Sequence, residues 1–165
     1  NNGHTIEVSF KNPKNTLTIG DDVYKLQQFH FHAPSENEID GQTYPLEGHF
    51  VYKTDNGKIT VISVLYNYGD ENQALKQIWD KMPQAANTET ELSQPISLDD
   101  FYPEDKDYYN FEGSLTTPPC TEGVNWIVFK NQETVSKEQV EKFTQTLGFK
   151  NNRPIQDTNG RQIKE

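Results

Sequence analysis

Apolar and polar residues alternate through the first part of the chain, and a period of two predicts β-strands. Residues 4–10 put Ile6, Val8 and Phe10 on one face, with His4 in line at the start. Residues 16–19 and 23–26 flank Gly20-Asp21-Asp22, a hairpin turn signal. The second arm runs straight into Gln27-Gln28-Phe29-His30-Phe31-His32 and stops at Pro34. After a polar loop to Pro45, a strand reaches Lys53, turns at Asp55-Asn56-Gly57 and returns over residues 59–68. That return strand is apolar on both faces and is expected to be central. The period then becomes helical over residues 71–82, where Leu75, Ile78, Trp79 and Met82 form one buried stripe. Asp70 stands at its N-cap, Gln73 at the capping-box position and Pro83 as its stop. A second helix starts at Ser136, with Gln139 completing a capping box, and ends at Gly148; Val140, Phe143 and Leu147 make its buried face. Residues 88–107 read as irregular, apart from a short strand near Ile96-Ser97-Leu98. Residues 121–130 read as a strand with Val124, Trp126 and Val128 on one face. No repeat or linker divides the chain, so one domain, 1–165, is expected.

Composition narrows the function classes. Hydrophobic residues make up only 32%, and nine Phe, eight Tyr and two Trp supply much of the core material. Mean hydropathy is −0.89, and no apolar run approaches a transmembrane length. A formal charge of −10 argues against nucleic acid and anionic membrane surfaces as partners.

The candidate chemistry lies in the histidines. As a strand, residues 27–32 place Gln28, His30 and His32 on one face and Phe29 and Phe31 on the other. The two imidazoles stand about 6.5–7 Å apart at the backbone, close enough to converge on one metal ion. In Leu46-Glu47-Gly48-His49-Phe50-Val51, the same alternation puts Glu47, His49 and Val51 on one face. A lone His-x-His is usually a pair of hydrogen-bonded core rings. A third histidine on an adjacent strand shifts the weight toward a metal site. Three neutral imidazoles would leave a divalent metal its full charge and a fourth tetrahedral position for water. Gln28 and Glu47 each precede a histidine by two residues, where an acceptor could fix the tautomer; either could equally be a solvated strand residue. A rival template uses the same residues: His30-x-His32-x-x-x-Glu36 followed by Gly41 resembles the first metal motif of cupins, with Glu36 as a ligand beside His49. Pro45, Gly48 and His49 are out of register for the second cupin motif.

Asn110-Phe111-Glu112-Gly113-Ser114-Leu115-Thr116-Thr117-Pro118-Pro119-Cys120-Thr121-Glu122 resembles the signature loop of α-class carbonic anhydrases. Gln28-Phe29-His30-Phe31-His32, Pro34-Ser35-Glu36-Asn37, Glu47-Gly48-His49-Phe50-Val51, Asn2-Gly3-His4 and Asn151-Asn152-Arg153-Pro154 resemble further blocks, in family order. The resemblance covers the whole chain and is similar to the bacterial branch. It implies a mainly β (α+β) fold, with a twisted, mostly antiparallel sheet, a few peripheral helices and a conical zinc pocket on one face. The implied activity is reversible hydration of CO2 to bicarbonate and a proton by a zinc-bound hydroxide.

Residue by residue, the resemblance makes His30, His32 and His49 the Zn2+ ligands and His4 the proton shuttle. Thr116 matches the threonine that accepts a hydrogen bond from the hydroxide while donating to the carboxylate matched by Glu36. Asn151 matches the residue whose carbonyl takes the His32 N–H. Val51, Val61, Leu115, Val124 and Trp126 match the apolar wall for CO2, with Thr117 beside it. Anions and sulfonamide-type inhibitors are expected at the zinc, and a homodimer is one assembly open to the chain. A non-enzymatic binding module of the same family is the third reading, although such modules have lost ligand histidines. The bacterial look implies a periplasmic or secreted setting, with a signal peptide outside this chain. The family's N-terminal stretch is likewise expected to lie outside it. In the bacterial branch that stretch carries a cysteine whose partner matches Cys120, so the resemblance implies a disulfide for this single cysteine.

Overall fold

In a computed structural model, residues 1–12 and 14–165 are described. The strands, in chain order, are β1 (Glu7–Ser9), β2 (Thr16–Ile19), β3 (Asp22–His32), β4 (Glu38–Ile39), β5 (Gln42–Thr43), β6 (Leu46–Lys53) and β7 (Ile59–Tyr68). Helix α1 (Gln73–Trp79) and a 3-10 turn at Leu98–Phe101 separate these from β8 (Tyr108–Ser114), β9 (Glu122–Phe129), β10 (Glu133–Val135) and helix α2 (Lys137–Leu147). The main sheet runs β1-β3-β6-β7-β9-β8, with β2 also on β3 and β10 on β7, while β4 and β5 pair separately. Pairing is antiparallel except for β7 with β9 and β7 with β10. The doubly apolar strand β7 is central, as its composition predicts.

The two faces of this sheet do different work. One carries Phe29, Phe31, Phe50, Val64 and Tyr66, all fully buried, against Leu75, Trp79 and Phe143 from the helices. The other carries a smaller cluster of Val61, Leu65, Val124, Trp126 and Val128. In β3 the register against β6 shifts between Leu26 and Gln28. That bulge absorbs one residue, so Tyr24 and Leu26 before it and Phe29 and Phe31 after it share the helix-covered core. The histidines thereby keep the opposite face.

Several elements depart from the sequence reading. The first strand contracts to Glu7–Ser9, because Asn2 Oδ1 accepts the N–H groups of His4 and Thr5 at 2.9 Å and curls the chain there. The N-cap of α1 is Asn72, not Asp70: its side chain accepts the Leu75 N–H, and Met82 is buried by the turn after the helix. Leu98–Phe101 forms the 3-10 turn where a strand was expected, burying Phe101. Strands β8 and β10 lack clean alternation in burial and went unread. The hairpins, the central strand and the capping box of α2 (Ser136 and Gln139, closed by left-handed Gly148) form as expected.

Gln139 also joins the helices. Its Oε1 accepts the Asn72 N–H and its Nε2 donates to the Asn72 carbonyl, both at 2.9 Å, while its own carbonyl accepts Trp79 Nε1 at 2.8 Å. Gln139→Ala strands the buried Asn72 N–H and leaves the Asn72 carbonyl to the Lys76 N–H alone, and it should cost about 2 kcal/mol. Ser136→Ala, which removes only the cap, should cost about 1 kcal/mol. Urea unfolding of the two variants checks the ranking.

Candidate metal centre

Strands β3 and β6 pair so that His30 stands directly opposite His49, Gln28 opposite Val51 and His32 opposite Glu47. Alternation then delivers all three imidazoles to one face. Ring centroids lie 5.0 Å (His30–His32), 5.4 Å (His30–His49) and 4.6 Å (His32–His49) apart. One nitrogen from each ring lies within 4.8 Å of the other two, with His32 and His49 buried. Among the described residues, this is the group of histidine, cysteine and carboxylate side chains close enough to share an ion.

The second nitrogen of each ring is engaged. His30 Nδ1 lies 2.7 Å from Gln28 Oε1, and His32 Nδ1 lies 3.0 Å from the Asn151 carbonyl. His49 Nε2 lies 2.9 Å from Glu47 Oε1, without the alignment of a full hydrogen bond. With those nitrogens as donors, the Nε2 atoms of His30 and His32 and the Nδ1 of His49 turn lone pairs inward. His32 Nε2 is buried without a hydrogen-bond partner, as is Glu36 Oε1 3.2 Å away. An orphaned buried nitrogen at the centre of three converging imidazoles fits a metal such as zinc.

Electrostatics favours neutral rings at two positions. Burial and the neighbouring imidazoles push His30 well below its ordinary value, and burial with His49 pushes His32 down to about 3. Burial also opposes charge on His49, but the carboxylates of Glu47 and Glu36 outweigh it and hold His49 above its ordinary value. Glu47 is held well below the carboxylate range: its burial is overcome by His49 and by hydrogen bonds from Ser63 and Asn37. Burial raises Glu36 despite the pull of His49, a hydrogen bond with the Thr116 side chain and the Arg153 N–H.

The remaining sequence-predicted residues fall into place unevenly. Val61, Val124 and Trp126 form one apolar cluster beside the histidines, with Val51 and Leu115 packed on it. Trp126 meets His49 edge-on at 4.9 Å and donates from Nε1 to the Ser114 carbonyl at 3.1 Å. Gly113 permits that approach, because a Cβ there would lie 2.9 Å from Trp126 Cδ1. Thr117 is exposed, its carbonyl accepting the Cys120 N–H. Cys120 is a free thiol in this chain. His4 is exposed, and its carbonyl accepts from Asn151 Nδ2 at 3.0 Å. A cavity of about 490 Å³ is bordered by Glu36, Thr116, Trp126 and Arg153 but by none of the three histidines.

Sequence reasoning missed four contributors: Asn37, Ser63, Arg153 and the side chain of Asn151. Asn151 Oδ1 accepts the Ala33 N–H at 2.9 Å and its Nδ2 donates to Phe31 O at 2.9 Å, pinning the end of β3. Ser63 sits on the histidine face of β7, between Val61 and Leu65. The cupin alternative fails on topology, because the histidines lie on one continuous open sheet rather than inside a two-sheet jelly roll.

Comparison with known proteins agrees with this geometry. The sequence model of the eukaryotic-type carbonic anhydrase family matches residues 1–165. A carbonic anhydrase from Neisseria gonorrhoeae is 48% identical over 165 residues, which are 100% of this chain and 65% of that protein. One from Pectobacterium carotovorum is 47% identical over 99% of this chain and 66% of its own length. The chain thus spans just under two thirds of these relatives. An α-carbonic anhydrase from Thermovibrio ammonificans, solved with the inhibitor sulfanilamide, superposes with a TM-score of 0.96 at 46% identity, covering 99% of this chain and 72% of that one. Matched along its full length in sequence and in strand arrangement, the chain belongs to the eukaryotic-type, or α, carbonic anhydrase family.

Proposed function

We propose that this chain holds zinc through His30, His32 and His49 and catalyses the reversible hydration of CO2 to bicarbonate and a proton. The observation that carries this reading is that each ring has one nitrogen beside an acceptor (Gln28, the Asn151 carbonyl or Glu47), with the other three nitrogens facing one another. Zinc bound by neutral imidazoles supplies Lewis-acid activation of water near neutral pH, for which carbonic anhydrase is itself the standard example. The protein's own groups do the rest.

Thr116 donates its hydroxyl proton to Glu36, leaving its oxygen free only to accept from the attacking water. That fixes the direction of the nucleophile's lone pair. Val51, Val61, Leu115, Val124 and Trp126 supply the dry wall an uncharged linear substrate needs. His4, exposed and tethered through its carbonyl to Asn151, carries the released proton to buffer. Sulfonamides and small anions are the inhibitors expected to compete at the metal. The setting is periplasmic or secreted, with Cys120 bridged to a cysteine beyond this chain.

The purified protein should carry about one zinc per chain by elemental analysis and hydrate CO2 in a stopped-flow indicator assay. His49→Ala should abolish both with the circular dichroism spectrum unchanged; activity retained without metal would refute the assignment. His4→Ala should turn over more slowly at low buffer and recover when imidazole is added, whereas equal rates at every buffer concentration would remove His4 from the proton path. Intact mass and thiol titration of the protein from its native source should show Cys120 oxidised; a reactive free thiol there would reverse the disulfide and weaken the extracytoplasmic placement.

A further inference from the structure

On β7, Ser63 stands among the apolar residues Val61, Ile62, Val64 and Leu65 with no exposure to solvent. A buried hydroxyl is costly unless it is paired. Ser63 lies directly across the β6–β7 ladder from His49, and its Oγ donates to Glu47 Oε1 at 2.5 Å. Glu47 is itself fully buried, two residues before His49 on the same strand face. Its Oε1 also accepts Asn37 Nδ2 at 2.6 Å, and its Oε2 accepts the N–H groups of Glu36 and Asn37 at 2.6 and 2.9 Å.

Apart from His49 itself, three of the four donors on this carboxylate therefore come from residues 36 and 37, and the fourth comes from the sheet. The terminal torsion of a glutamate is broad and roughly two-fold, so the carboxylate plane is set by the donors around it. Residues 36 and 37 hold both oxygens from one loop, and Ser63 adds a hold on Oε1 from the neighbouring strand. Its effect falls on Oε1, the atom 2.9 Å from His49 Nε2.

We propose that Ser63 is a positioning residue for the metal centre: by clamping Glu47 Oε1 from β7, its hydroxyl sets the plane of the carboxylate that orients His49. The inference rests on the zinc reading and adds to it a residue on a third strand. The ring of His49 is thus placed by its own strand through the backbone and by β7 through Ser63 and Glu47. Asn37 works from the other side of the same carboxylate, so the loop that carries Glu36 and the sheet that carries the histidines are joined at one group.

The test compares the wild-type protein with Ser63→Ala and Ser63→Thr in zinc dissociation rate and in the visible spectrum of the cobalt(II)-substituted form. Ser63→Ala should release zinc about tenfold faster or more, in line with the loss of a partner behind a ligand, and should alter the cobalt bands. Ser63→Thr, which restores the hydroxyl on a β-branched side chain, should return both toward wild type. If the threonine variant does not fold, Ser63→Cys, a weaker donor of similar size, should fall between wild type and alanine. A residue that merely satisfies a buried carboxylate would lower the melting temperature of the metal-free protein but leave the dissociation rate and cobalt spectrum unchanged, and that result overturns the proposal. A wild-type protein that binds no zinc would instead overturn the metal reading beneath it.

Discussion

The pairing of β3 with β6, in the register that sets His30 across from His49, is the constraint on which the rest of the molecule depends. Because side chains alternate strictly, a slip of one residue in either strand would send imidazoles into the aromatic core and phenylalanines toward the site. Both faces oppose such a slip. On one, Phe29 stacks on Phe50 with centroids 4.9 Å apart, the ring pair lying immediately beside the His30–His49 pair in the ladder. On the other, the rings of His30 and His32 would no longer meet that of His49. The same register thus assembles the core and the centre, and neither can be disturbed alone.

What could be read from the sequence follows from how local each signal is. The Gly20-Asp21-Asp22 and Asn56-Gly57 turns, the alternating histidine strands and the Ser136–Gln139 capping box are decided by residues within a few positions of one another, and all form as read. The N-cap of α1 was misplaced by two residues because Asn72 is recruited by Gln139 from the second helix, a partner 67 positions away. Strand β8 was read as part of a loop because it is only half-buried, so no alternation marks it. Its place is set by pairing with β9, register shift included.

The centre divides in the same way. The grouping of the three histidines and the acceptors preceding two of them on their own strands were legible from spacing, and the contacts of Thr116 with Glu36 and of His32 with Asn151 from family resemblance. Asn37 and Ser63 were not, because their importance exists only once a buried carboxylate needs donors. Glu47 is where these demands meet. A full charge with no solvent exposure is tolerable only when its oxygens are filled, and the protein fills them from two directions.

Asn151 has a consequence for how the protein is made. Its carbonyl receives the His32 ring from 119 positions away, and its side chain reaches back 118 to Ala33, 120 to Phe31 and 147 to His4. Contacts of such separation form late, since the loop they close must be ordered first. A chain still emerging from the ribosome can pair β3 with β6 and bring the histidines together long before residue 151 exists. Until that asparagine docks, however, the His32 ring has no acceptor to choose its tautomer. Order of synthesis therefore separates the gathering of the three histidines from their final orientation, and the His32 ring is fixed only once residue 151 has been made and has docked.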